Sequence, residues 1–217
     1  KNGSYVLFEK GEKFLEFDRI VRVGTHTGQN NLVKRLTEHF LKPNKDRSIF
    51  RKHIGRAILS RDNNLELLKQ WEIDLTGKKA REEWAGKIDT AAIKSVEDRV
   101  TAYMQEYFTF SVIPLETKEE RLFFEAGIIA TTSRSPHFYP SANWLGKFSP
   151  EEKIRTRGVW LVHGLNGRSL TEAEMGDLIK CAETSRLKEL NSKDITVFKQ
   201  HERSSENASR DNFFNKT

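Results

Sequence analysis

The hydrophobic pattern changes period several times along the chain, and each change marks an element. Tyr5-Val6-Leu7-Phe8 is a short β-favouring run and reads as a strand. Lys10-Gly11-Glu12-Lys13 follows as a turn, and Arg19-Ile20-Val21-Arg22-Val23 reads as a second strand ended by Gly24. The two strands pair as a hairpin. Leu32, Leu36 and Phe40 then recur every four residues, which predicts a helix over 32–41, capped by Asn30 or Asn31 and ended by Pro43. Arg35 and His39 keep the same spacing on a neighbouring stripe. Residues 44–106 read as a helical insertion. Ser48 caps a helix from Ile49 to Ser60, a less regular part carries Trp71 and Trp84, and Asp89 to Glu106 forms another helix. Tyr107 to Leu115 is aromatic and β-branched and predicts the third strand.

After that strand, Lys118 to Ala130 reads as a helix and Ser133 to Pro140 as a loop. Ser149-Pro150-Glu151-Glu152 looks like a capping box with proline in the first turn, and Thr171 to Glu174 like a second box opening a helix to about Ala182. Beyond Ser192 the chain turns polar and reads as a flexible tail. The sum is an α/β (α+β) chain: a small three-stranded antiparallel sheet flanked by helices, with a helical insertion and extra C-terminal helices.

Composition narrows the class. The chain has 217 residues, 36% hydrophobic and 31% charged, enough for a core beneath a wet surface. No apolar run approaches the length of a membrane span, and the first residues alternate like a strand rather than a secretory signal. The one cysteine, Cys181, excludes an intrachain disulfide and a cysteine zinc site, and points to the cytoplasm. The formal net charge of +6 favours a polyanionic partner. Arg47, Arg51, Lys52, His53 and Arg56 cluster in one stretch, where cations on one face suit contact with a DNA backbone. A solvated basic helix is the plainer alternative for that stretch.

Glu125 is the sharpest single candidate for chemistry. Leu122, Ala126 and Ile129 lie three and four residues from it, so its carboxylate interrupts an apolar stripe and must be paired, protonated or metal-bound. A hard cation such as Mg²⁺ prefers such an oxygen donor. Arg35 suits neutralisation of charge on a phosphate, and His39 suits orienting or deprotonating a water, directly or through Tyr5. Asn143 follows Pro140 and serves as an amide donor or as a cap. Pro114, Glu116 and Lys118 look like the tail of another nuclease motif, but no upstream aspartate completes it.

Taken in order, Gly3-Ser4-Tyr5, Arg22-Val23-Gly24, Arg35 with His39, Glu125, and Asn143 after Pro140 resemble the GIY-YIG nuclease family, in its restriction-endonuclease-like branch. The resemblance covers about residues 3 to 145. It implies a nuclease domain over 1–165, with 44–106 as its DNA-recognition region, followed by a helical extension over 166–191 and the tail over 192–217. It also implies a metal-dependent DNA endonuclease with one Mg²⁺ (or Mn²⁺) per site held by Glu125, and Tyr5, Arg22, Arg35, His39 and Asn143 as catalytic residues. The implied partners are double-stranded DNA, a second copy of the chain in a homodimer, and a cognate DNA methyltransferase. One departure stands out: Arg22 replaces the tyrosine of the family's second motif. A cation there favours the ionised form of a nearby phenol or water; equally, it leaves a DNA-binding module of impaired activity as the alternative.

Overall fold

A computed structural model describes residues 1–187. The predicted tail over 192–217 lies outside the described residues. Three strands, β1 (Ser4–Phe14), β2 (Phe17–Gly24) and β3 (Phe108–Ile113), form one antiparallel sheet in the order β2-β1-β3. The helices are α1 (Leu32–Phe40), α2 (Ile49–Arg61), α3 (Leu65–Glu72), α4 (Lys78–Glu83), α5 (Thr90–Tyr107), α6 (Lys118–Arg134), α7 (Glu152–Arg157) and α8 (Glu172–Leu187), with a short 3₁₀ turn at Leu145–Phe148. This is the small helix-flanked sheet that the pattern predicts. None of the described helices is long and apolar enough to cross a membrane.

Alternation of side chains divides the interior in two. Tyr5 and Leu7 of β1 face one core, built with Leu32, Leu36 and Phe40 of α1, Phe50 and Ile54 of α2, and Val100 and Met104 of α5. Val6, Val23 and Ile113 face the other, built with Phe124, Ile128 and Ile129 of α6. The four-residue spacing of Leu32, Leu36 and Phe40 therefore marks the buried stripe of α1, as expected from its period.

Four local expectations are corrected. Residues 10–13 do not turn; β1 continues to Phe14, with an irregular register between Phe8 and Lys13. A buried ion pair between Glu12 and Arg19, 2.6 Å apart, holds that extension together, so charged residues that look like a turn point inward. The stretch around Trp71 and Trp84 is not irregular: it forms α3, capped by Asn64, and the short α4. Ser149 does not cap α7 through a box; its hydroxyl accepts from the Glu151 amide at 3.2 Å, and the helix begins at Glu152. Asn31 makes no side-chain cap on α1 and instead donates to the Thr27 carbonyl. By contrast, Ser48 caps α2 by accepting from the Arg51 amide, and Thr171 and Glu174 form the reciprocal box before α8.

Candidate active site

Register places the first two motifs against each other. Tyr5 pairs with Gly24 and Leu7 with Arg22 across β1 and β2, so all four project toward the same face of the sheet. The tyrosine ring uses the space that Gly24 leaves: a Cβ built on Gly24 meets the Tyr5 hydroxyl oxygen at 2.3 Å. The glycine of the second motif is thus required by close approach.

The Tyr5 Oη lies 2.7 Å from Nε2 of His39, and Nδ1 of His39 lies 2.7 Å from the Ser48 Oγ. Tyr5 is 1% exposed, and His39 and Ser48 are fully buried. Three elements supply this chain of groups: β1, α1, and the residue capping α2. Burial, followed by the positive charge of Arg22, Arg35 and Arg51, pulls the His39 pKa down to about 2. Its imidazole is therefore neutral near pH 7.

Arg22 lies over the Phe50 ring, 4.8 Å from its centroid, and donates to the Trp160 carbonyl. Its Nε has no partner among the described residues. Burial pulls its pKa below the usual range, while Tyr5 and Glu125 act in the opposite sense. Arg22 therefore lies within electrostatic reach of both the phenol and the carboxylate. Arg35 is partly exposed and donates to Glu38 at 3.4 Å and to the Arg47 carbonyl at 3.2 Å.

Glu125 is half-buried, and its setting differs from the expected one. Leu122 and Ala126 are exposed, whereas Arg121, Phe124 and Ile128 carry the inward side of α6. Glu125 flanks that side instead of interrupting it. Burial raises its pKa above the ordinary 4.5, opposed by Arg22, the Thr25 backbone and Arg35. Among the described residues Glu125 forms no ion pair, so the paired-carboxylate alternative is not what the fold builds. A carboxylate with room for water suits a hard cation that keeps most of its hydration. Among the described residues, no three histidine, cysteine or carboxylate side chains gather to hold a metal ion. The donor set fits a lone Mg²⁺-type ligand and does not fit a protein-built cage.

Other expected positions lie elsewhere. Asn143 is exposed, and Ser141 beside it binds Glu12 through its amide at 3.0 Å and through its hydroxyl. Glu12 stands seven residues beyond Tyr5 on β1, roughly 20 Å away at the usual strand rise. The structure does not bring Asn143 to the other motif residues.

The expected DNA-facing cluster is also corrected. Arg51 is fully buried; it pairs with Glu97 at 2.7 Å and donates to the His39 carbonyl at 2.9 Å. His53 is buried, with its pKa held down to about 3, first by burial and then by Arg56. Arg56 is taken up by Glu72 and Glu151, and Lys52 by the Glu72 carbonyl. Only Arg47 of the five is exposed. The other four are interior or ion-paired groups, because α2 packs its cations against α3 and α5 and not against solvent.

Ser48 is the site residue that the sequence does not reveal as such. Its signal as a helix cap is visible, but its contact with His39, nine positions away, depends on how α2 folds back on α1.

No curated protein and no solved structure matches the chain. Residues 1–187 match the model of the GIY-YIG domain. That match spans most of the 217 residues, and with it the chain belongs to the GIY-YIG nuclease family, whose membership implies a nuclease function.

Proposed function

We propose that the protein is a divalent-metal-dependent DNA endonuclease of restriction type, hydrolysing phosphodiester bonds in double-stranded DNA. The observation that carries this reading is the position of Arg22, in electrostatic reach of both Tyr5 and Glu125. A phenol and a carboxylate that share one guanidinium can address opposite sides of one phosphate. Glu125 is the residue that would hold Mg²⁺ or Mn²⁺, one ion per site, and when bound the ion neutralises charge on the leaving oxygen.

The chain's own groups do the rest. Tyr5 orients the water that attacks phosphorus, and His39 holds the Tyr5 oxygen in place. Arg35, partly exposed on α1, neutralises charge on the non-bridging oxygens. Arg22 stands where the family has its second tyrosine, and it supplies positive charge to the oxygen that the tyrosine would otherwise position. The exposure of Asn143 at the far end of the hairpin argues against a catalytic role for it. One such site cuts one strand, so cleavage of both strands requires two sites, which a two-fold homodimer supplies.

The test is cleavage of supercoiled plasmid by the purified protein with Mg²⁺ and with Mn²⁺. Metal-dependent nicking or linearisation is expected, lost by ~10²-fold or more in Glu125→Ala, with DNA retention on gels preserved. Retention without cutting under any metal would favour the impaired binding module. Cutting that persists in Glu125→Ala would remove Glu125 from the site.

A further inference from the structure

The Tyr5–His39–Ser48 chain carries an orientation as well as a geometry. A neutral imidazole has one N–H, so one ring nitrogen donates and the other accepts. The Ser48 Oγ already accepts the Arg51 backbone N–H at 3.2 Å. Its own hydrogen needs an acceptor, and Nδ1 of His39, 2.7 Å away, is the one the structure supplies among the described residues. The surroundings on that side are rich in donors: the Arg51 guanidinium lies beneath His39 and gives its hydrogens to the His39 carbonyl, Glu97 and Thr101. A proton on Nδ1 would leave the serine hydrogen buried without a partner, which is costly. Tyr5 is placed differently, with Gly24 and Arg22 beside its hydroxyl at the end of the sheet where Thr25 and Glu125 meet.

We infer that Ser48 is a positioning residue: its hydroxyl donates to Nδ1 of His39 and keeps the imidazole proton on Nε2, where it is donated to the Tyr5 oxygen. His39 then cannot take the Tyr5 proton, because the nitrogen facing Tyr5 already carries one. Its role is to hold the phenol oxygen by donation and turn the phenol's own hydrogen toward the substrate side. The low basicity of His39 agrees with this. The functional part rests on the reading of Tyr5 as the group that orients water; the tautomer does not.

The experiment is side-chain ¹⁵N NMR of protein labelled in histidine, with the His39 signals assigned by their loss in His39→Gln. A protonated Nε2 and a bare Nδ1 are expected in the unaltered protein. Ser48→Asp keeps a cap for the Arg51 amide but replaces the donor with an acceptor, and is expected to move the proton to Nδ1. Ser48→Thr keeps the hydroxyl and is expected to restore the original signature, as a check against general disruption in Ser48→Asp or Ser48→Ala. In plasmid cleavage, His39→Gln retains an amide N–H near the place of Nε2 and is expected to stay within about tenfold of the parent, whereas His39→Ala loses ~10²-fold or more. A proton found on Nδ1 in the unaltered protein overturns the inference, as does a His39→Gln variant no better than His39→Ala. If the parent cuts no DNA, the proposed function fails while the NMR result still decides the tautomer.

Discussion

Gly24 shows how a single hydrogen in place of a side chain sets the site. Tyr5 reaches its position beside His39 because nothing projects from Gly24 on that face of the hairpin. A methyl group there would sit 2.3 Å from the phenol oxygen and 2.5 Å from the ring carbon that bears it, so the ring must move or the strands must part. Gly24→Ala is expected to cost about 1–3 kcal/mol of folding stability, the usual range for overpacking. It is also expected to reduce cleavage by more than that loss explains, since the displaced hydroxyl leaves His39. Urea unfolding alongside plasmid cleavage at a temperature where the variant is folded separates the two effects. A variant as stable and as active as the parent would mean that Tyr5 does not depend on this gap. The same reasoning explains why the glycine was legible from the sequence and its purpose was not: a motif preserves the residue, while only the pairing of Tyr5 with Gly24 shows what the missing side chain makes room for.

At the scale of elements, the Arg51–Glu97 pair joins α2 to α5 and, through the His39 carbonyl, to α1. Removing one partner leaves a buried charge without compensation, so Arg51→Met is expected to destabilise the fold by ~3–5 kcal/mol. The double variant Arg51→Met with Glu97→Met is expected to recover part of that loss, as read from the midpoints of denaturant unfolding. Equal losses in the single and double variants would show that the pair carries no special cost. This pair also marks the limit of what the sequence reveals about elements. The four-residue period of Leu32, Leu36 and Phe40 identifies α1 and its inward face because an apolar stripe has one reason to exist. A run of cations has two, solvation or internal pairing, and Arg51, His53 and Arg56 take the second because acidic partners arrive from α3, α5 and the start of α7. The stripe around Glu125 was read one step off for a related reason: Leu122 and Phe123 are apolar yet exposed, while the inward place goes to Arg121, whose guanidinium binds the Glu116 carbonyl at 2.8 Å. The extension of β1 through residues 10–13 escaped in the same way, since Glu12 and Arg19 look like turn residues until they meet.

For the molecule as a whole, neutral buried histidines make acid the condition to which the fold is most exposed. His39 and His53 have an ordinary pKa of 6.5, lowered in the folded state to about 2 and about 3, in both cases first by burial and then by neighbouring arginines. Below pH 6.5 the unfolded chain therefore takes up protons that the folded chain refuses, and stability falls as the pH drops through the window down to about 3. Each group contributes a slope of up to about 1.4 kcal/mol per pH unit within that window. Glu9 and Glu125 act in the opposite sense. Burial raises both above 4.5, so the folded chain holds protons there that the unfolded chain has released, and acidification favours the fold between the two values. The histidine slope is therefore partly offset, and its size has to be read from variants and not from the parent alone. Unfolding by urea at pH 7, 6 and 5 is expected to give a steady loss of stability in the parent. In His39→Gln with His53→Gln, which cannot take up these protons in either state, the loss across the same range is expected to shrink by more than half. An unchanged slope in the double variant would place the acid sensitivity elsewhere and would mean that the two imidazoles are not neutral because of burial in the folded chain.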